Sequence, residues 1–195
     1  MVSALTVHHV AHPHDAVLLG DRFEGQAHGA AALGAAVEGG LDETLRRIND
    51  EFSATNKTGM FVTLFVARID LKTGHMDFCN AGHNPILVIP PDAEPYFLKC
   101  KTNIAIGMFE KFNYEAEQID LKQGTRIIAY TDGVTEAEKA DQSLYGNERL
   151  LEWSKTLKNN ELIEKDVVER LYASVQTFAE GNPQNDDITI VSLRL

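Results

Sequence analysis

Basic residues are in short supply in this 195-residue sequence. It holds 18 Lys and Arg against 29 Asp and Glu, and its net charge is −11. A nucleic-acid binder normally shows a basic face, so that class is excluded as a partner. Docking on an anionic membrane is disfavoured for the same reason. Long apolar runs are missing as well. The longest, Phe61 to Ala67, is far below the roughly 20 residues a bilayer-spanning helix needs, so no membrane insertion is expected. The opening MVSALTVHHV has no positive n-region leading into an apolar h-region and reads as lacking a signal peptide. Cysteine is limited to Cys79 and Cys100, with no CxxC spacing. The pair reads as reduced thiols in a cytoplasmic protein. No GxxxxGK[ST], GxGxxG or GxSxG occurs, which removes support for a P-loop, a Rossmann cofactor site and a Ser-hydrolase elbow.

What is present suffices for a real core: 44% of residues are hydrophobic, and the length suits one ordinary domain. Composition changes near residue 40. Residues 1–40 carry five of the seven histidines (His8, His9, His12, His14, His28), six of the fourteen glycines and no lysine. They read as an atypical N-terminal segment, either diverged, linker-like or artefactual. Residues 41–195 read as the domain proper. The histidines invite a metal reading, but no Cys or Glu completes a familiar ligand spacing, so a solvated N-terminus is favoured.

Leu41, Leu45, Ile48 and Phe52 recur on one helical face. Met60 to Asp70 is apolar on both faces and predicts an interior strand. A turn at Leu71–Gly74 then leads into a second hairpin arm over His75–Ala81. Ile86–Ile89 and Thr125–Tyr130 are further strands, and Asn113–Leu121 alternates loosely. Glu148–Leu157 is a helix candidate. Ile163, Val167, Leu171, Val175 and Phe178 mark a long amphipathic helix that Gly181-Asn182-Pro183 stops. Trp153 and Phe178 read as core. The chain ends on the alternating strand Ile188–Leu195. Strands, then helices, then a strand rejoining a sheet indicate an α+β fold.

Chemistry concentrates at strand ends. Tyr130-Thr131-Asp132-Gly133 follows one strand, Asn185-Asp186-Asp187 precedes another, and Gly20-Asp21 forms a weaker acidic loop after Ala16–Leu19. Close carboxylates repel and are costly to desolvate; a hard divalent cation relieves both. Each motif alone is equally an ordinary turn. His83, in Ala81-Gly82-His83-Asn84-Pro85, reads as a turn residue capping backbone groups ahead of an acid/base role. Glu136, Glu138, Lys139 and Asp141 read as a solvated loop.

In order and spacing, GMFVTLFVARIDLKTGHMDFCNAGHNPILVI, TRIIAYTDGVTEAEKADQSLYGNERL and NPQNDDITIVSLRL resemble the C-terminal two-thirds of a SpoIIE/RsbU-type phosphatase domain. This is a bacterial branch of the metal-dependent (PPM, protein phosphatase 2C-like) Ser/Thr phosphatases. The resemblance runs from about Leu41 to Leu195. It implies a PPM-type α/β/β/α sandwich, two antiparallel sheets flanked by helices, and leaves open an incomplete N-terminus. It implies two Mn²⁺ or Mg²⁺ ions, with the family's metal aspartates falling on Asp132 and Asp186 and, through a loose echo of a GD-x-SG-x-G segment, on Asp21. Asp187 takes the neighbouring, non-ligand place.

The implied activity is hydrolysis of phosphoserine or phosphothreonine on a small anti-anti-sigma-factor-like protein in bacterial signalling. Asp132 and Asp186 are then the catalytic residues. The family's first acidic motif, GD-x-x-D, has no counterpart before residue 21, and His12-Pro13-His14-Asp15 is not that motif. A catalytically incomplete pseudophosphatase acting by protein binding is therefore the alternative. A truncated sheet with an exposed edge is also a route to a homodimer.

Overall fold

The computed structural model describes residues 3–6, 16–21, 40–57, 59–158 and 161–195, the first two segments by their backbone. The chain divides into two compact units. One contains β1 (Ser3–Thr6), β5 (Leu87–Ile89), β6 (Tyr96–Phe97), β8 (Arg126–Tyr130), β9 (Thr189–Arg194) and the helices α2 (Asp132–Thr135), α3 (Gly146–Lys155) and α4 (Glu164–Ala179). The other contains β2 (Ala16–Asp21), α1 (Leu41–Thr55), β3 (Thr63–Ile69), β4 (His75–Ala81) and β7 (Glu117–Asp120). With two sheets and their helices, the fold is α+β. Among the described residues no helix is long and apolar enough to cross a membrane.

In the first unit the strand order is β1-β9-β8-β5-β6. All five residues of β8 are buried, as befits a strand with a neighbour on each side. β8 and β9 pair antiparallel with Tyr130 opposite Ile190, and β5 pairs antiparallel with β8. β1 pairs with β9 in parallel, so this sheet is not wholly antiparallel. The apolar face of α4 (Val167, Val168, Leu171, Val175) packs into one core with Leu87, Ile128, Tyr130 and Ile190. Trp153 and Phe178 are partly buried against it, as their helical spacing suggested. The helix ends one residue before the predicted glycine stop, on Glu180 in the left-handed region (φ 52°).

A buried ion pair fixes α4 to the strands. Arg126 on β8 donates from Nε to both carboxylate oxygens of Glu164 at 3.0 Å and from Nη2 to the Leu162 carbonyl at 2.9 Å. Ser192 on β9 donates to the same carboxylate. The two charged side chains are only 4% and 10% exposed. Arg126→Ala would leave Glu164 buried and unpaired, with an expected loss of about 3–5 kcal/mol. Urea denaturation should read this as a lower midpoint, and Arg126→Met/Glu164→Leu should recover much of the loss.

In the second unit the order is β2-β3-β4-β7, antiparallel throughout. β3 lies between β2 and β4 and is buried on both faces, the interior strand its composition predicted. Leu64 and Val66 join Leu41 and Leu45 of α1 in one cluster, while Phe65 stacks on Phe78 with centroids 6.1 Å apart. The β3–β4 turn closes on Asp70, whose Oδ1 accepts from Lys72 N and Thr73 N. Gly74 (φ +78°) is required there, because a Cβ would meet the Leu121 carbonyl oxygen at 1.9 Å.

His75 and Asp120 face each other across β4 and β7, and Nδ1 lies 2.7 Å from the carboxylate. That hydrogen bond, helped by the charge of Asp77, raises the His75 pKa above its ordinary value. A raised folded-state pKa contributes stability that is fully present below the unfolded value near 6.5. It is lost as pH rises through the folded pKa. An NMR titration should place the His75 midpoint above that of an exposed histidine, and Asp120→Asn should lower it.

Candidate metal and catalytic site

The site grows out of the end of the β8–β9 pair. One residue beyond Tyr130, Thr131 N donates to Thr189 O at 3.0 Å, and Thr189 N donates to the Thr131 hydroxyl at 2.8 Å. The hydroxyl in turn donates to the Asp187 carbonyl at 2.7 Å. Thr131 thus staples the residues after β8 to those before β9. Asp132 then opens the single turn of α2, its carbonyl accepting from Glu136 N (2.7 Å) and the Thr135 hydroxyl (3.2 Å). One of its carboxylate oxygens, Oδ1, is buried.

Gly133 lets the two loops close. A Cβ there would lie 2.6 Å from the Asp187 carbonyl oxygen and 2.9 Å from that of Asp186. The same glycine that marks a turn in the sequence is therefore a close-approach residue. The facing loop is held from several directions. Asp186 Oδ1 accepts from Asp187 N at 2.7 Å, and Gln184 Nε2 donates to the Asp186 carbonyl at 2.6 Å. Asn185 donates to the Glu138 carboxylate and Asn182 to the Glu138 carbonyl, while Lys139 pairs with Glu180 at 2.7 Å. In the predicted solvated run, Glu136 and Asp141 are indeed exposed; Glu138 and Lys139 are half-buried and tether this loop.

Asp132 and Asp186 are thus brought to the same end of one strand pair. Asp21 belongs to the other unit and is the last residue of β2, paired with Thr63, so the Gly20-Asp21 loop is instead strand. Its side chain lies outside the described residues, as do His8, His9, His12, His14 and His28. In donor type, the two carboxylates fit a hard divalent ion. Among the described residues no group of three or more His, Cys, Asp or Glu is arranged to hold a metal.

His83 is buried, and the cap in its turn comes from Asn80. Asn80 Oδ1 accepts from His83 N at 2.8 Å, and Nδ2 donates to His83 O at 3.0 Å. Burial pushes the Cys79 thiol up to about 12 and the Cys100 thiol up to about 11, so both stay protonated near neutral pH. Neither has the thiolate character of a nucleophile. The sequence pattern did not single out Thr131 or Gly133 by role; their only signal was membership of the TDG string.

At the level of fold, the chain resembles solved phosphatase domains. The phosphatase domain of the cell-fate determinant SpoIIE from Bacillus subtilis, in a crystal form without domain swapping, superposes with a TM-score of 0.62 at 21% identity, covering 94% of each chain. Residues 15–195 match the family model described as Stage II sporulation protein E (SpoIIE), and the chain belongs to that family. It is 30% identical over 149 residues to Protein IcfG of Synechocystis sp., covering 75% of this chain and 23% of that protein. It is 25% identical over 147 residues to Phosphoserine phosphatase RsbP of Bacillus subtilis, covering 75% of this chain and 34% of that protein. The chain spans well under half the length of these curated relatives.

The staple is testable on its own. Thr131→Val should destabilise the chain by about 1–3 kcal/mol by leaving Thr189 N and Asp187 O without their partner, while Thr131→Ser should retain most of the stability. Gly133→Ala should lower the thermal midpoint by several degrees, since backbone carbonyls stand where the methyl must go. Thermal denaturation of the three variants checks both expectations.

Proposed function

We propose that the chain is a metal-dependent protein serine/threonine phosphatase acting in bacterial signalling in the cytoplasm. Its substrate is a small phosphorylated regulatory protein of the anti-anti-sigma-factor class. The observation that carries this reading is the meeting of Asp132 and the 185–187 loop at one end of β8–β9, in a member of the SpoIIE family. The relative named as a phosphoserine phosphatase supports it.

Asp132 and Asp186 are the residues of this unit that would hold divalent ions, Mn²⁺ or Mg²⁺. Such ions, when bound, lower the pKa of water and offset charge developing on the phosphoryl oxygens. The chain's own contribution is positional. Thr131 and Gly133 set the spacing between the two carboxylate-bearing segments, and the carboxylates supply oxygen donors. A phosphoenzyme nucleophile is not required, in keeping with protonated thiols at Cys79 and Cys100.

The pseudophosphatase alternative is favoured by one observation: the sequence has no counterpart of the family's first acidic motif before residue 21. One assay separates the two readings. With Mn²⁺, the wild-type chain should hydrolyse an aryl phosphate, and chelation should abolish turnover. Asp132→Asn and Asp186→Asn should each abolish it too, with the far-UV circular dichroism unchanged. Absence of any metal-dependent turnover in the wild-type chain would overturn the enzyme reading in favour of the protein-binding one.

A further inference from the structure

Three carboxamides, Asn182, Gln184 and Asn185, lead into Asp186, and each is committed to a hydrogen bond that shapes the loop carrying it. Asn182 Nδ2 donates to the Glu138 carbonyl at 3.0 Å, and Asn185 Nδ2 donates to the Glu138 carboxylate at 2.9 Å. Both ends of the stretch Asn182–Asn185 are therefore fastened to one residue, across Pro183, whose ring fixes its own φ. Between them, Gln184 Nε2 folds back on the Asp186 carbonyl at 2.6 Å. Asp186 follows directly, its Oδ1 accepting from Asp187 N at 2.7 Å.

Glu138 is itself held. It lies on a hairpin in which Glu138 bridges Leu144, Lys139 N donates to Ser143 O at 3.0 Å and Tyr145 N donates to Ala137 O at 2.8 Å. Asp141 closes the tip, its Oδ1 accepting from Ser143 N at 2.9 Å and from the Ser143 hydroxyl at 2.6 Å. The base of the hairpin is set in the core. Tyr145 is 2% exposed, packs edge-on against Phe178 with centroids 5.5 Å apart, and has its hydroxyl 2.9 Å from that of Ser174. Beside Glu138, Lys139 lies over the Phe178 ring at 5.1 Å and pairs with Glu180. Glu138 is thus carried on an arm anchored in the packing of α4.

The Glu138–Asn185 bond has little to give to global stability. Asn185 is exposed and Glu138 half-buried, so water competes for both groups and the net gain is small. What the bond fixes is local. Residues 182–187 belong to no helix or strand, so side-chain bonds are what define the backbone entering Asp186. A carboxylate already held in place loses less freedom when a cation arrives, and groups that orient a ligating side chain raise metal affinity for that reason.

We infer that Glu138 is a positioning residue for Asp186: by holding Asn185 it orders the loop and raises the affinity of the proposed site for a divalent cation. The metal part of this inference rests on the phosphatase reading, which makes Asp186 a ligand. The ordering part does not, and it is measured with no metal present.

The test uses the full chain and Mn²⁺ alone. Glu138→Ala should weaken Mn²⁺ binding roughly tenfold, read from the electron paramagnetic resonance signal of the free ion. Glu138→Gln keeps an acceptor for Asn185 and removes the charge, so it should recover most of that affinity. In EDTA, amide hydrogen exchange at Asp187 should quicken in Glu138→Ala, while its thermal midpoint stays near the wild-type value. A lowered midpoint with Mn²⁺ affinity unchanged would overturn the positioning role in favour of a merely structural one. Equal weakening in Glu138→Gln and Glu138→Ala would overturn it in favour of a charge effect. Unchanged exchange at Asp187 in Glu138→Ala overturns the positioning role alone, whereas a wild-type chain that binds no Mn²⁺ overturns the phosphatase reading.

Discussion

The hydroxyl of Thr131 accepts a backbone N–H from Thr189 and donates its own proton to the Asp187 carbonyl. Most of the local arrangement depends on those two bonds. They carry the β8–β9 pairing past the last ladder pair, Tyr130 and Ile190, into segments that would otherwise be free loops. Because the register of β8 and β9 is set by their buried side chains, the same register fixes which residues meet beyond the strand ends. A slip of one residue would turn the slipped strand's side chains to the opposite faces. Core packing therefore determines the separation of Asp132 from the 185–187 loop, and Gly133 keeps that separation small.

Carboxylates out of water need compensation, and this chain uses more than one kind. Glu164 is neutralised inside the first unit by Arg126 and further bonded by Ser192, so its cost is met by groups already in the fold. On the proposed reading, divalent ions play that part for Asp132 and Asp186. The net charge of −11 sharpens the point, since a phosphate dianion approaching an acidic protein needs positive charge placed between them.

Elements with a strong period were legible in the sequence, and elements without one were not. The 3.6-residue spacing of Leu41, Leu45 and Ile48 and of Val167, Leu171 and Val175 revealed α1 and α4, and apolar continuity revealed β3. β6 has two residues and α2 four, too few to carry a period. β1 and β2 fall in the histidine- and glycine-rich stretch whose composition argued for a separate segment, although the family match begins at residue 15. The parallel pairing of β1 with β9 joins the two ends of the chain, which no local pattern encodes. Asp132 and Asp186 stand out in the sequence because one directly follows an obvious strand and the other lies just before one. Thr131 and Gly133 do not, because their roles exist only once β8 and β9 are paired.

Asn49 and Arg126 were both hidden for a related reason: each is a polar residue inside an apolar pattern, and sequence periodicity averages over such exceptions. Their consequences differ. Arg126 joins α4 to β8, so its burial supports packing of buried surface on buried surface. Asn49 is equally buried, and its bonds fasten the 107–109 backbone and the buried Tyr114 hydroxyl to α1. Where a local rule is broken and the core benefits, packing explains it. Each of these two residues breaks an apolar pattern and is retained because its hydrogen bonds hold one packed element against another.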